Sequence, residues 1–286
     1  MRYRFAVRVG PYGFRVGSDW RAPVAALEHL YADYPKPRDG VANFTVRLEA
    51  TRSWRRFVRP SVNIGGDWFL AEAAPLPLAH GLLAAEMGMN LQLALGGRRH
   101  LLLHASSVER DGRALLMTGE SGAGKSTLSV LLAAAGWRFM GDEFALIDLD
   151  TGEVRAFPRP VSLKNAGVAA AEQAWPTATF GPWLRGTPKG DIRHMVPPSD
   201  DLARMDEPAR PALLLFPRFG SPDEVRKVPR SEAFVRLTQA STNYTALGWR
   251  GFESLVRLVK AVPALAVDYP DGASGVAAVE RLWSAL

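Results

Sequence analysis

The chain has 286 residues, 47% of them hydrophobic and 22% charged, with 35 basic against 29 acidic side chains for a formal charge of +6 and no cysteine. That length suits one large domain or two modest ones with a real core, and the composition excludes disordered, collagen-like and coiled-coil classes. Without cysteine there is no disulfide scaffold, thiolate zinc site or cysteine nucleophile, while the modest positive charge suits an anionic substrate, a nucleic acid or an acidic partner without choosing among them.

Residues 1–97 read as a small α+β module. Tyr3, Phe5, Val7 and Val9 alternate with Arg2, Arg4 and Arg8, the Gly10-Pro11-Tyr12-Gly13 turn closes the run, and Phe14-Arg15-Val16 resumes it as a hairpin. Residues 22–32 predict a short helix, 33–40 a Pro-rich loop, Phe44 to Leu48 another strand, and 62–71 more strand around a Gly65-Gly66 turn. The densest basic run, Arg52, Arg55, Arg56 and Arg59 around Trp54, is either a solvated face with packed stems or a contact for a partner or membrane surface. Residues 78–95 are apolar nearly all round and lack β-branched side chains, which predicts a largely buried helix. The N-terminus shows no apolar signal region, no stretch reaches 18 apolar residues and no repeat is visible, so a soluble cytoplasmic protein is the expectation.

After Gly96-Gly97 the pattern changes, and a second domain over 98–286 is expected. His100 to Val108 predicts a strand, Asp111-Gly112 a tight turn and Ala114 to Thr118 a short apolar strand. Gly119-Glu120-Ser121-Gly122-Ala123-Gly124-Lys125-Ser126-Thr127 follows at once and runs into an Ala- and Leu-rich helix over 128–135. Strand, glycine-rich loop and helix in that order are what the phosphate-binding pattern G-x4-G-K-[ST] demands. The glycines let backbone N–H groups converge on an anion, and the helix opening near Lys125 points its positive end there. Lys125 can reach the β- and γ-phosphates and the Ser126 hydroxyl can enter a Mg²⁺ shell. The pattern arises by chance roughly 0.005 times in a chain of this composition, so residues 119–127 are the nucleotide-binding candidates, with ATP and Mg²⁺ the ligands.

Trp137, Phe139 and Met140 predict a strand parallel to the one that feeds the loop, which delivers Asp142 and Glu143 to the carboxyl edge of the sheet. Two adjacent carboxylates there can divide labour, one taking a proton from an attacking hydroxyl and the other holding Mg²⁺. The bland reading is an acidic turn or helix cap.

The run from His104 through the loop to Asp142-Glu143 resembles the catalytic core of HPr kinase/phosphorylase and, more closely, of the HprK-related kinase A family. That resemblance implies a histidine ahead of the loop at His104 and an acidic pair at Asp142-Glu143. Its first member is the catalytic base for serine phosphorylation, and the acid in reverse. Glu143 stands where HPr kinases have Asp, as the related subgroup commonly does, and Gly141 replaces that subgroup's serine. The likeness extends over Pro158 to Lys164, over Lys189-Gly190-Asp191-Ile192-Arg193-His194 with Pro197-Pro198, and over Ser241-Thr242-Asn243-Tyr244. The fold it implies is an α/β P-loop kinase of the HPr kinase and PEP carboxykinase type, on a strongly bent mixed sheet, preceded here by the α+β module.

Each further candidate has two readings. His104 is a buried supporting histidine or a group that orients the catalytic carboxylate or the γ-phosphate. Arg159 and Lys164 form a surface basic pair, or a charge stiffened by Pro158 and Pro160 beside the transferring phosphate. Lys189, Arg193 and His194 are mobile surface charge or part of a Gly- and Pro-rich loop that closes over substrate. Ser241, Asn243 and Tyr244 are helix-capping residues or ligand contacts. Beyond them, 212–217 predicts a strand, 231–240 strand or helix, 251–262 helix, 264–267 strand and 275–286 a closing helix.

The combined expectation is an ATP- and Mg²⁺-dependent kinase acting on a hydroxyl, most plausibly a serine of a peptide or small protein, with a peptide-maturation system as one setting. Asp142, Lys125, His104, Arg159, Lys164 and Arg193 are the catalytic candidates, and Ser126 with Glu143 the metal candidates. A small-molecule kinase for free serine or a sugar, and a non-catalytic ATP-binding regulatory module, are the alternatives. No nucleic-acid motif is present, and family enzymes commonly assemble into homo-oligomers.

Overall fold

In the computed structural model, which describes residues 1–69, 74–188 and 190–286, alternation in the first residues produces an antiparallel pair. This is β1 (Tyr3–Val9) with β2 (Tyr12–Ser18), in the register Val9↔Tyr12. Helix α1 (Arg21–Leu30) carries the chain over to β3 (Phe44–Ala50), which pairs parallel with β2, and β4 (Ser61–Gly66) and β5 (Leu76–Pro77) complete a five-stranded sheet. Gly65 and Gly66 belong to β4 and make no turn; a Cβ on Gly66 would stand 2.4 Å from Gln92 Nε2. Ala71, the expected end of that strand, and Lys189 lie outside the described residues.

Helix α2 (Gly81–Gly96) covers this sheet with Leu82, Met89 and Leu93 buried against β3 and β4. It can approach closely because Gly88 faces Val46, where a Cβ would lie 2.5 Å from Val46 Cγ1. The basic run forms a 3₁₀ turn, Ser53–Arg56, with Trp54 and Phe57 exposed. There the Arg55 guanidinium lies 4.6 Å from the Trp54 ring, and Trp20 Nε1 donates to the Arg56 carbonyl at 2.9 Å.

The second unit begins with β6 (His100–Leu103) and β7 (Ala105–Arg110), where one strand over 100–108 is expected. They belong to different sheets, and His104 is the break between them. A turn at Asp111-Gly112, both at positive φ (54° and 73°), returns the chain into β8 (Arg113–Thr118). Then come α3 (Lys125–Ala134), β9 (Arg138–Gly141), β10 (Ala145–Asp148), β11 (Val154–Arg155), β12 (Val161–Lys164) and α4 (Ala166–Ala174).

Residues 179–196 pack with the first unit, although the sequence assigns them to the second domain. They form a hairpin of β13 (Leu184–Thr187) and β14 (Gly190–Met195), where the sequence suggests an irregular loop. His80 Nε2 and the Arg185 carbonyl lie 2.9 Å apart and tie this hairpin to the start of α2. The chain then resumes the second unit with α5 (Ser199–Ala203), β15 (Arg210–Phe219), β16 (Glu224–Lys227), α6 (Arg230–Ala240), α7 (Tyr244–Leu247), α8 (Trp249–Ala261), β17 (Ala264–Tyr269) and α9 (Gly272–Ser284). The units are thus Met1–Gly97 with Thr179–Val196, and Arg98–Ala178 with Pro197–Leu286.

The main sheet of the second unit is mixed, in the order β16-β17-β15-β8-β7-β9. β15 pairs parallel with both β8 and β17, while β7 pairs antiparallel with both β8 and β9. β9 therefore runs in the same sense as β8, two places away. A second sheet places β10 between β11 and β6. Leu101, Leu103, Met140, Ile147, Leu214, Phe216, Leu255 and Leu258 join in one core beneath these elements. Among the described residues, no helix is long and apolar enough to cross a membrane.

Asn243 takes a part the sequence does not suggest. Its side chain does not cap α7. Instead Oδ1 accepts from Leu102 N–H at 3.0 Å and Nδ2 donates to the His100 carbonyl at 2.9 Å, so a fully buried amide grips the edge of β6. Asn243→Ala removes both bonds and should lower stability by about 2 kcal/mol, read as a lower urea midpoint at unchanged slope. A midpoint within error of wild type would refute this bracing role.

Candidate active site

β8 ends at Thr118 and the chain turns through 119–124 into α3. Gly124 precedes the helix at φ +91°, and a Cβ there would stand 2.4 Å from the Tyr269 hydroxyl, so both backbone and neighbour demand glycine. The Lys125 ammonium folds back onto the loop and donates to the carbonyls of Gly119 (2.7 Å) and Glu120 (2.9 Å). Burial, with a smaller push from Lys164, lowers its pKa, and the charges of Asp142 and Glu143 act the other way. Lys164, at the end of β12, reaches the Ser121 hydroxyl at 3.4 Å. The fold brings Lys164, half-buried, to the loop rather than leaving it without a neighbour there.

Asp142 follows β9 directly. Two registers bring it to the loop: Ala105 opposes Thr118 and Ser107 opposes Gly141, so the start of β7 and the ends of β8 and β9 share one edge. Gly141 is glycine for a visible reason. A Cβ there would lie 2.9 Å from the Phe157 carbonyl oxygen and 3.1 Å from that of Phe144, so a serine would collide with backbone. Asp142 is 5% exposed and its carboxyl accepts from Ser106 Oγ at 2.5 Å. Burial first, and the neighbouring Glu143 charge second, push its pKa up to about 6, against the pull of Ser106, Ser126 and Lys125. A buried acid held near neutrality beside a lysine-bearing loop is the kind of group that general-base chemistry needs.

His104 bridges to the second carboxylate. Its Nδ1 is 3.0 Å from the Glu143 carbonyl oxygen and 3.7 Å from Glu143 Oε2. A carbonyl only accepts, so Nδ1 carries the proton and Nε2 faces away as the acceptor in the neutral ring. The side chain is half exposed, at 47%, so it is not a buried core histidine. Arg159 is buried at 3% exposure, which excludes the surface reading for it. It lies two residues beyond Phe157, whose N–H donates to Met140 at 2.6 Å and which bridges Gly141.

Arg193 and His194 stand on β14 and belong to the first unit. Arg193 Nε donates to the Gly181 carbonyl at 3.0 Å, and its guanidinium lies 4.7 Å from the centre of the Phe180 ring and 5.6 Å from that of Trp183. The residues gathered at one edge of the second unit are thus Gly119 to Thr127, His104, Asp142, Glu143 and Lys164. Ser106 joins them without having been singled out by sequence. The available signal was its position two residues after His104 at the start of a strand that must pair with β8. Thr118, whose hydroxyl donates to the His104 carbonyl at 3.0 Å, is a second such residue.

The donor set suits Mg²⁺. The Ser126 hydroxyl lies near enough to the Asp142 carboxyl to favour its ionised form, and Glu143 adds another hard oxygen. Among the described residues no group of three or more His, Asp or Glu side chains converges on a metal.

No family model matches this chain, and no curated protein matches it. Among solved structures, it is similar to the Hpr(Ser) kinase/phosphatase from Coxiella burnetii, at 13% identity and a TM-score of 0.28, over 65% of this chain and 99% of that one. A superposition of that quality carries no argument about fold or function.

The Asp142 carboxyl makes the site testable through stability. Its pKa is raised from 3.8 to about 6 in the fold, so the folded chain holds the proton more tightly than the unfolded one. The resulting penalty is absent below about pH 4, grows as pH rises toward 6 and stays constant above. Asp142→Asn should therefore be more stable than wild type at pH 8, on the order of 2 kcal/mol, with the gap closing toward pH 4 in denaturant titrations. A gap that does not change with pH would show that this carboxyl bears no such penalty.

Proposed function

We propose that the protein is an ATP- and Mg²⁺-dependent kinase that moves the γ-phosphoryl group to an alcohol, most plausibly a serine of a peptide or small protein. The observation that carries this reading is the buried Asp142 carboxyl at the same sheet edge as the lysine-bearing glycine loop, in hydrogen-bond contact with Ser106. Retention of ATP alone needs no such base. The serine class of acceptor rests on the family resemblance of the sequence motifs.

In this reading the acceptor oxygen forms a bond to the γ-phosphorus while the β–γ bridging bond breaks. Asp142 takes the hydroxyl proton and ADP leaves. Lys125, which now spends its donors on the Gly119 and Glu120 carbonyls, turns them to phosphate oxygens. Lys164, which reaches Ser121 of the loop, adds positive charge, and Arg159 of the same unit is the further proposed cation. Ser126 and Glu143 would hold Mg²⁺, which neutralises phosphate charge when bound. His104 holds the Glu143 segment through the carbonyl contact of Nδ1.

Phosphoryl transfer from γ-labelled ATP to serine peptides, HPr and free serine tests this directly. Wild type should label one acceptor, and Asp142→Asn should lose about 10²–10⁴-fold in rate while it still binds ATP. Lys125→Ala should weaken both binding and transfer. ATP binding by wild type with no label on any hydroxyl acceptor, and none lost to water, would overturn the kinase reading.

A further inference from the structure

The two sides of the glycine loop differ, and the strand order tells them apart. In the sheet β16-β17-β15-β8-β7-β9, strands β7 and β9 lie on one side of β8 and carry Ser106 and Asp142 to the edge. Strands β15 and β17 lie on the other side. If Asp142 marks the end where the γ-phosphate reacts, an extended triphosphate lying across the loop points its nucleoside toward β15.

The last residue of β15 is Phe219, and its ring is 53% exposed. It adjoins both the loop and Tyr269. Its N–H donates to the Ala123 carbonyl at 3.3 Å, its Cβ would be 3.0 Å from a Cβ on Gly124, and its ring meets Tyr269 edge-on at 5.8 Å and 65°. Tyr269 is itself buried, at 2% exposure, so the support is rigid. A single exposed apolar side chain needs no explanation in general. This one differs in where it is held. The other exposed aromatics of the second unit, Trp249 and Phe252, stack on each other at 5.2 Å along α8 and have no hydrogen bond or ring contact with the 119–127 loop among the described residues.

We propose that the Phe219 ring is the stacking platform for the nucleobase of the bound nucleotide. This rests on the nucleotide-binding reading above and adds the residue that recognises the nucleoside end. An aromatic face presented at a phosphate site binds any base, because every base has a π face. Phosphate contacts on the loop then set position, and the ring supplies affinity that inorganic phosphate chains cannot use.

The test is calorimetric binding of Mg²⁺-ATP and Mg²⁺-tripolyphosphate to the full chain, comparing wild type with Phe219→Ala, Phe219→Leu and Phe219→Trp. Leucine keeps apolar packing on Tyr269 but removes the aromatic face. Wild type should bind ATP more tightly than tripolyphosphate. The alanine and leucine variants should lose at least about fivefold in ATP affinity, the lower end of one base–aromatic stack, with tripolyphosphate unchanged, and tryptophan should restore ATP affinity. Unchanged ATP affinity in the alanine and leucine variants, or equal losses for both ligands, would overturn the platform while the loop's own role stands. Wild type that binds neither ligand would overturn the nucleotide reading and this inference with it.

Discussion

The pairing of β7 with both β8 and β9 fixes where Ser106 and Asp142 stand relative to the end of β8. A slip of one residue would turn Ser106 to the opposite face and move Asp142 off the loop edge. Two features pin the register from the far end. The Asp111-Gly112 turn supplies the positive φ values that a tight hairpin between β7 and β8 requires. Between β7 and β9, Glu109 stands directly opposite Arg138, and the two form a buried ion pair in which Arg138 Nε donates to Glu109 Oε2 at 2.5 Å. The remaining capacity of the pair is used nearby: Gly112 N–H donates to Glu109 Oε1 at 2.6 Å and Arg138 Nη1 donates to the carbonyls of Arg204 and Glu207. A buried pair of this kind adds little net stability over an apolar alternative, yet any slip would bury both charges unpaired. Its effect falls on register.

The same strands thus carry two buried carboxylates with opposite fates. Glu109 is matched by a guanidinium and a backbone N–H. Asp142 has the Ser106 hydroxyl as a donor but no ionic partner in hydrogen-bond contact, and Glu143 lies beside it. Residues that serve the fold are satisfied in this way, whereas a group kept short of satisfaction is a reservoir that chemistry can draw on. Lys125 shows the complementary arrangement, with its ammonium held by loop carbonyls that an anion would replace.

Much of this was legible in the chain. The strand, glycine loop and α3 follow from a pattern whose physical demands are local. The sense of β9, and hence the edge at which Asp142 emerges, follows from the short apolar run after a helix. The break at His104 was not legible, because 101–108 contains neither proline nor glycine and its apolar residues continue across the bend. What divides the run is pairing with two different sheets, a long-range fact. The hairpin at 184–195 was hidden for the opposite reason, since Gly186, Pro188 and Gly190 read as loop signals while one of them, Gly190, opens β14. Asn243 looked like a cap because capping is the commonest use of asparagine before a short helix. Only the position of β6 reveals that its amide is spent on a strand edge.

Gly124 separates a loop whose glycine is demanded by its surroundings from a loop that happens to be rich in glycine. A chance glycine could take alanine at the cost of a few tenths of a kcal/mol when its φ is negative and its surroundings are open. At 124 the φ of +91° disfavours any side chain, and the Tyr269 hydroxyl fills the space a Cβ would need. That hydroxyl is buried without a hydrogen-bond partner among the described residues, and burial holds the phenol well above its ordinary pKa, so it stays neutral beneath the loop. An unpartnered polar atom in a packed interior is itself a cost. Tyr269 is retained there with its ring against Phe219 and its edge against Gly275, where a Cβ would stand 2.8 Å from Tyr269 Cδ2. Three glycine and aromatic positions distant in sequence, 124, 219 and 275, are therefore shaped around one ring. The constraint on the loop thus comes from the sheet and α9, through the one tyrosine that both of them meet.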